Sequence, residues 1–165
     1  MVILNKVTLA YSPAEDRISV CGQMQAGGSL LLWITQKLAR QLVPHLRIRL
    51  SALNSVAADH KAEQCGGDTP QGGADGVQCH VICDEGAPEY LIRSIDISWK
   101  EGQLTLAFHC QEPHSICILS LSYDSTVQVI DALSQCAETA RWPAYPGALQ
   151  AEREDQGPSQ GVTIH

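Results

Sequence analysis

The chain has 165 residues, 44% of them hydrophobic and only 18% charged, with a formal net charge of −7. That balance fits one globular domain, and the acidic excess argues against a surface that tracks a phosphate backbone or an anionic membrane. The longest apolar run, Leu30 to Ile34, falls far short of the roughly 20 residues that span a bilayer, and the start of the chain lacks a charged-then-apolar leader pattern, so the expectation is a cytoplasmic protein with no membrane partner.

The first segment alternates. Val7, Leu9 and Tyr11 point one way and Lys6, Thr8 and Ala10 the other, the period of two that marks a half-buried strand. Ser12-Pro13 with Glu15-Asp16 supplies turn chemistry. Ile18 and Val20, alternating with Arg17 and Ser19, form the returning strand, which Gly22 and Gly27-Gly28 punctuate before Leu30 to Ile34 forms a third. Thr35 is placed to cap a helix. Behind it Leu38, Leu42, Leu46, Leu50, Leu53 and Ala57 recur at three- and four-residue steps as one apolar stripe. Pro44 lies inside the stripe and predicts a kink or a split, because it lacks an N–H and clashes with the preceding turn.

Residues 61–87 read as a linker. Gly66-Gly67, Pro70, Gly72-Gly73 and Gly76 predict mobility over 61–76, and Val77 to Cys83 predicts a short extra strand. The second half then repeats the first. Ile95, Ile97 and Trp99 alternate with Asp96 and Ser98, Lys100-Glu101-Gly102-Gln103 makes a tight turn, and Leu104, Leu106 and Phe108 return. Pro113 interrupts the chain, and Ile116 to Tyr123 forms the third strand. Asp124-Ser125 is expected to cap a helix with Ile130, Leu133, Ala137 and Ala140 on its buried side, stopped by Pro143 and Pro146-Gly147. The polar residues from 147 to 165 predict a disordered tail.

The two halves align. Val2 to Tyr11 lies without a gap under Tyr90 to Trp99, Ile18 to Val20 under Leu104 to Leu106, and Leu30 to Thr35 under Leu119 to Asp124. Self-similarity of this kind predicts an α+β fold made of a duplicated strand-strand-strand-helix unit. The units, residues 1–60 and 88–142, would pack as one pseudo-two-fold domain over 1–146, joined by a flexible linker over 61–87. A single unit of roughly 60 residues buries too little surface to be comfortable alone. Under this alignment Leu31 and Trp33 on the third strand lie opposite Ser120 and Ser122. An apolar face in one unit whose twin is polar makes Leu31 and Trp33 the candidate interface residues.

Reactive chemistry is sparse. Cys79, His80 and Cys83, with Cys110 and His114, offer thiolate and imidazole groups that zinc prefers. But Cys-x-x-x-Cys is not the usual knuckle, and strand geometry would put His80 on the opposite face from Cys79 and Cys83. The reading is metal-free structural cysteines, the seven together being mostly thiols in a reducing compartment. Gly-x-Ser-x-Gly is absent, and Gly22-Gln-Met-Gln-Ala-Gly27 lacks the pattern of a phosphate loop. No catalytic residue and no cofactor is expected. Lys37, Arg40, Arg47 and Arg49 form the one basic cluster, but without interleaved aromatics for base stacking. The expectation is a small non-enzymatic interaction or adaptor module whose partner is another protein or a second copy. A single-strand nucleic-acid binder using the basic helix region is the first alternative, and a Cys/His metal- or thiol-dependent protein the second.

Overall fold

A computed structural model gives the fold, and the structure describes residues 1–61, 81–100, 103–111, 116–143 and 162–165. Its elements are β1 (Val2–Ser12), β2 (Arg17–Met24), β3 (Ser29–Ile34), α1 (Gln36–Lys61), β4 (Glu89–Lys100), β5 (Gln103–Cys110), β6 (Ile116–Leu121), α2 (Tyr123–Thr139) and β7 (Val162–Ile164). The fold is mixed α+β, and the described residues form one seven-stranded sheet with two helices. Each of the first six strands pairs with its neighbours in sequence, and β6 pairs with β1, so β1 to β6 close into a ring. Within each hairpin the pairing is antiparallel. The two joints, β3 to β4 and β6 to β1, are parallel. A parallel joint cannot be made by a tight turn, and α1 lies in the crossover between β3 and β4.

The hairpins β1–β2 and β4–β5 share a register. Val7 faces Gly22, Leu9 faces Val20 and Tyr11 faces Ile18. Ile95 faces Phe108, Ile97 faces Leu106 and Trp99 faces Leu104. Each first strand carries an irregularity at the same place, between Leu4 and Lys6 and between Ile92 and Ser94. An inserted residue reverses the alternation of a strand. This is why Leu4 and Val7, three apart, both pack into the core, as do Ile92 and Ile95.

One apolar cluster holds the molecule together. It joins Ile18, Val20, Leu30, Leu32 and Ile34 of β2 and β3 to Ile92, Ile95, Leu104, Leu106, Phe108 and Leu119 of the other strands and to both helices. Helix α1 contributes Leu38, Ala39, Leu42 and Leu46, with Val43 and Leu50 at the margin. Its start is capped as expected: Thr35 Oγ1 accepts from the Leu38 N–H. Pro44 does not split it, and Gln36–Lys61 is one helix. The expected stripe members Leu53 and Ala57 lie where side chains are not described.

Three features depart from the sequence reading. Helix α2 is capped by Ser122, whose hydroxyl accepts from the Ser125 N–H, and not by Asp124-Ser125. Tyr123 is therefore helical, and β6 ends at Leu121. The helix buries Thr126, Val129, Ile130, Leu133 and Cys136, a stripe rotated from the expected Ala137 and Ala140. Second, the end of the tail, expected to be disordered, is a strand. Val162–Ile164 pairs with β4, and Ile164 is 4% exposed, because β4 offers backbone partners and an apolar slot. Residues 144–161 lie outside the described residues, as do 62–80 of the expected linker. Third, residues 81–83, the described part of the expected extra strand, are not a strand. Among the described residues no helix is long and apolar enough to cross a membrane.

The end of α2 is tied to the first hairpin. Arg141 adopts a left-handed φ of 53°. The Arg141 N–H then reaches the Glu138 carbonyl and the Trp142 N–H the Ala137 carbonyl, the doubly bonded turn that ends many helices. This sets Trp142 edge-on to Tyr11, ring centroids 5.8 Å apart. The Trp142 indole N–H and the Tyr11 hydroxyl both donate to Asp16, at 2.9 and 2.8 Å. Those two bonds, the indole's first, hold the Asp16 carboxyl below its usual range.

Candidate functional site

Alternation sends every second side chain of β1, β2 and β3 away from the core. Thr8, Cys21 and Leu31 lie side by side on this outward face, with Glu89 of β4 next in the row. The segment before β4 crosses them as a strap. The Val81 N–H donates to Thr8 Oγ1 at 2.8 Å. Cys83 is disulfide-bonded to Cys21, with Cα atoms 5.7 Å apart. The Asp84 N–H donates to Ser29 Oγ at 2.7 Å, and the Ser29 hydroxyl donates back to the Asp84 carboxylate at 2.8 Å. The Leu31 N–H donates to the Pro88 carbonyl at 2.9 Å. With its two neighbours anchored, Ile82 is turned out and is 82% exposed.

Leu31 and Trp33 belong to this face. Both are half-buried. Leu31 is the cross-strand neighbour of Cys21, the strap's covalent anchor. Trp33 stands beside Ser19 on β2 and Leu91 on β4, and its indole N–H donates to the Glu89 carboxylate at 3.1 Å. Their expected counterparts need correction by two residues. Leu32 lies opposite Val20, and Leu119 lies opposite Leu106. Since Val20 and Leu106 hold matching places in the two hairpins, Leu31 matches Ile118 and Trp33 matches Ser120. Ser122 drops out because it caps α2. By this register alone, Trp33 lines up with Ser120 and Leu31 with the apolar Ile118.

The basic cluster does not gather into one groove. At about 100° per residue on a helix, Lys37, Arg40 and Arg47 fall within about 80° of one another, and Arg49 lies about 160° from Arg47. The Arg47 guanidinium donates to Ser134 Oγ of α2 at 2.9 Å. Arg40 and Arg49 are half-buried and engaged in interactions of their own.

Among the described residues, the cysteines form no ligand cluster with histidines. Cys79, His80 and His114 lie outside the described residues. The Cys83 sulfur is spent in the bond to Cys21, so it is not among the thiols. Cys110, Cys117 and Cys136 are buried and outside any disulfide. A hydrogen bond from Cys110 pulls the Cys117 thiol below its usual pKa, whereas burial pushes Cys136 up. Among the described residues, no three His, Cys, Asp or Glu side chains come close enough to hold a metal ion.

One polar constellation was not foreseen. Asp96 on β4 accepts from His109 Nε2 of β5 at 2.7 Å and from the Thr163 hydroxyl of β7 at 2.5 Å. Burial raises the Asp96 carboxyl, but the Thr163 and His109 hydrogen bonds and the charges of His109 and His165 outweigh it and leave the pKa low. The carboxylate sits between hydroxyl and imidazole. In a nucleophile-base pair the hydroxyl must meet the imidazole instead, so the trio fastens strands and has no nucleophilic geometry. Alternation of β4 and β5 signals that Asp96 and His109 point outward, but nothing local announces Thr163. The chain matches no protein-family model and no curated protein.

Proposed function

We propose that this chain is a small non-enzymatic protein–protein interaction module built from a duplicated strand-strand-strand-helix unit. The shared hairpin register and the irregularity at the same step of each first strand support the duplication. The observation that carries the function is the outward apolar face. Trp33 lies beside Leu91, Leu31 is two residues along β3, and Ile82 projects from a covalently anchored strap. A Trp on a face that its twin fills with Ser120 is not demanded by folding, and Trp is a frequent anchor of binding hot spots. The occupant is a partner protein or a second copy of the chain. Trp33→Ala tests this. Association, read by sizing and by capture of partners from the source cell, should weaken while the melting temperature hardly moves. A core role predicts instead a loss of about 3–5 kcal/mol of stability, and a large fall in melting temperature with unchanged assembly would dismiss the reading.

A thiol-dependent role is the second reading, favoured by the Cys21–Cys83 bond holding the strap beside Leu31. It bears on location. A cytoplasmic protein would meet glutathione and thioredoxin, which oppose such bonds. Trapping thiols in intact cells and mapping the 21–83 link would report the compartment and decide whether the strap is covalently held there. The split basic cluster gives the nucleic-acid alternative no added support, and an oligonucleotide shift that weakens with salt would revive it.

A further inference from the structure

The ring of six strands is complete without β7. The N-terminal half of β4 pairs with β3 through Glu89, Tyr90 and Leu91, which leaves the edge at Ile95–Ile97 beyond the reach of β3. Exposed strand edges are templates for another strand. Helix α2 packs against β1, while α1 packs against β7 and β7 pairs with β4. The edge of β4 at Ile95–Ile97 is therefore closed by an extended segment, Val162–Ile164.

The slot has defined chemistry. Ile164, Thr163 and Val162 pair antiparallel with Ile95, Asp96 and Ile97. Ile164 is 4% exposed within the core cluster, and Val162 packs against the cluster's margin. Thr163 faces outward and gives its hydroxyl proton to Asp96 at 2.5 Å, while His109 holds the other carboxylate oxygen at 2.7 Å. Two apolar subsites thus flank one carboxylate subsite along the backbone edge that β7 occupies. Strand addition works in this way: main-chain bonds supply affinity, and alternate side-chain pockets supply specificity.

We propose that this edge of β4 is a strand-docking groove for an extended apolar–Ser/Thr–apolar segment of a partner protein, and that Val162–Ile164 is its occupant in cis. The groove is separate from the Trp33 face. Val162–Ile164 belongs to the same chain as the groove, and an intramolecular ligand acts at an effective concentration up to the order of millimolar. A partner segment must compete with that, so the tail tunes access to the groove. Displacement needs no unfolding of the ring, since none of its joints involves β7.

The test uses the full-length chain carrying Ile164→Asp, whose tail remains attached but cannot fill the buried subsite. The probe is a fluorescent synthetic peptide with the sequence of residues 158–165. It should bind the variant at least about tenfold more tightly than the wild-type chain, because the cis competitor is disabled. Asp96→Asn in the variant, or Ile164→Asp in the peptide, should weaken that binding, and Trp33→Ala should not. Thr163→Val serves as a milder release of the tail. A folded variant that ignores the peptide, or that binds a scrambled one equally well, overturns the proposal. Loss of cooperative melting in both tail variants also overturns it, since β7 would then be a permanent part of the fold.

Discussion

Breaking the Cys21–Cys83 bond should loosen this protein in a way that can be computed before it is measured. The bond joins residues 62 apart in sequence. In the chain-entropy model a loop of that length removes about 14 cal/mol/K from the unfolded ensemble, about 4.3 kcal/mol at 25 °C. For a domain of this size each kcal/mol moves the melting temperature by about 2–4 °C, so reduction should lower it by about 9–17 °C. The local consequence is sharper. Beside the covalent link, the strap is held by the hydrogen bonds from Val81 to Thr8, between Asp84 and Ser29 in both directions, and from Leu31 to Pro88, each worth about 1 kcal/mol, so loss of the link should loosen it first. Thermal melts of the wild-type chain and of the Cys21→Ser/Cys83→Ser double variant, each with and without dithiothreitol, read the global effect. Amide exchange over 81–88 reads the local one. The wild type should fall to the double variant's melting temperature on reduction, the double variant should not respond, and exchange at 81–88 should quicken in both reduced forms. Equal melting of oxidised wild type and double variant, with unchanged exchange in the strap, would refute the reasoning.

Three further outcomes follow from single contacts. A Cβ on Gly22 would come within 3.0–3.1 Å of the Leu4 methyl groups, so Gly22→Val should cost about 1–3 kcal/mol in chemical denaturation, and Leu4→Ala in the same chain should recover part of it. Arg141 holds a left-handed φ of 53° at the end of α2, which glycine adopts freely, so Arg141→Gly should raise stability by about 0.5–1 kcal/mol. The Asp96 carboxyl is held below its usual pKa in the folded chain. Its contribution is therefore present above the unfolded value of about 4 and is lost as pH falls through the lower folded value. Amide protection at Val162–Ile164, taken relative to the intrinsic exchange rate at each pH, should fall on acidification below about pH 4, and Asp96→Asn should remove that fall.

What could be read locally was the behaviour of short segments. Side chains of a strand alternate by backbone geometry alone, so Val7, Leu9, Ile18 and Val20, and likewise Ile95, Ile97, Leu104 and Leu106, declared their hairpins and their core-facing sides without reference to the rest of the molecule. The apolar steps from Leu38 to Leu46 declared α1 for the same reason, and Pro44 did not divide it once that face was buried. The ends of elements were less legible. Ser122 and Asp124-Ser125 are all competent caps, and the choice fell to the register of β6 against β5, which is a contact between strands. With that choice β6 ends at Leu121, two residues before the expected Tyr123, and by hairpin register Trp33 lines up with Ser120 in place of Ser122. Only the tertiary structure closed the ring through the parallel joints, brought Cys83 to Cys21 across 62 residues, and found a place for Val162–Ile164. Three residues carry too little periodicity to announce a strand, and an Ile near a polar tail is buried only because β4 leaves an edge and a core slot unfilled beside α1. Pairings between distant segments depend on which surfaces remain open after the local elements have formed, and that information resides in the assembled fold.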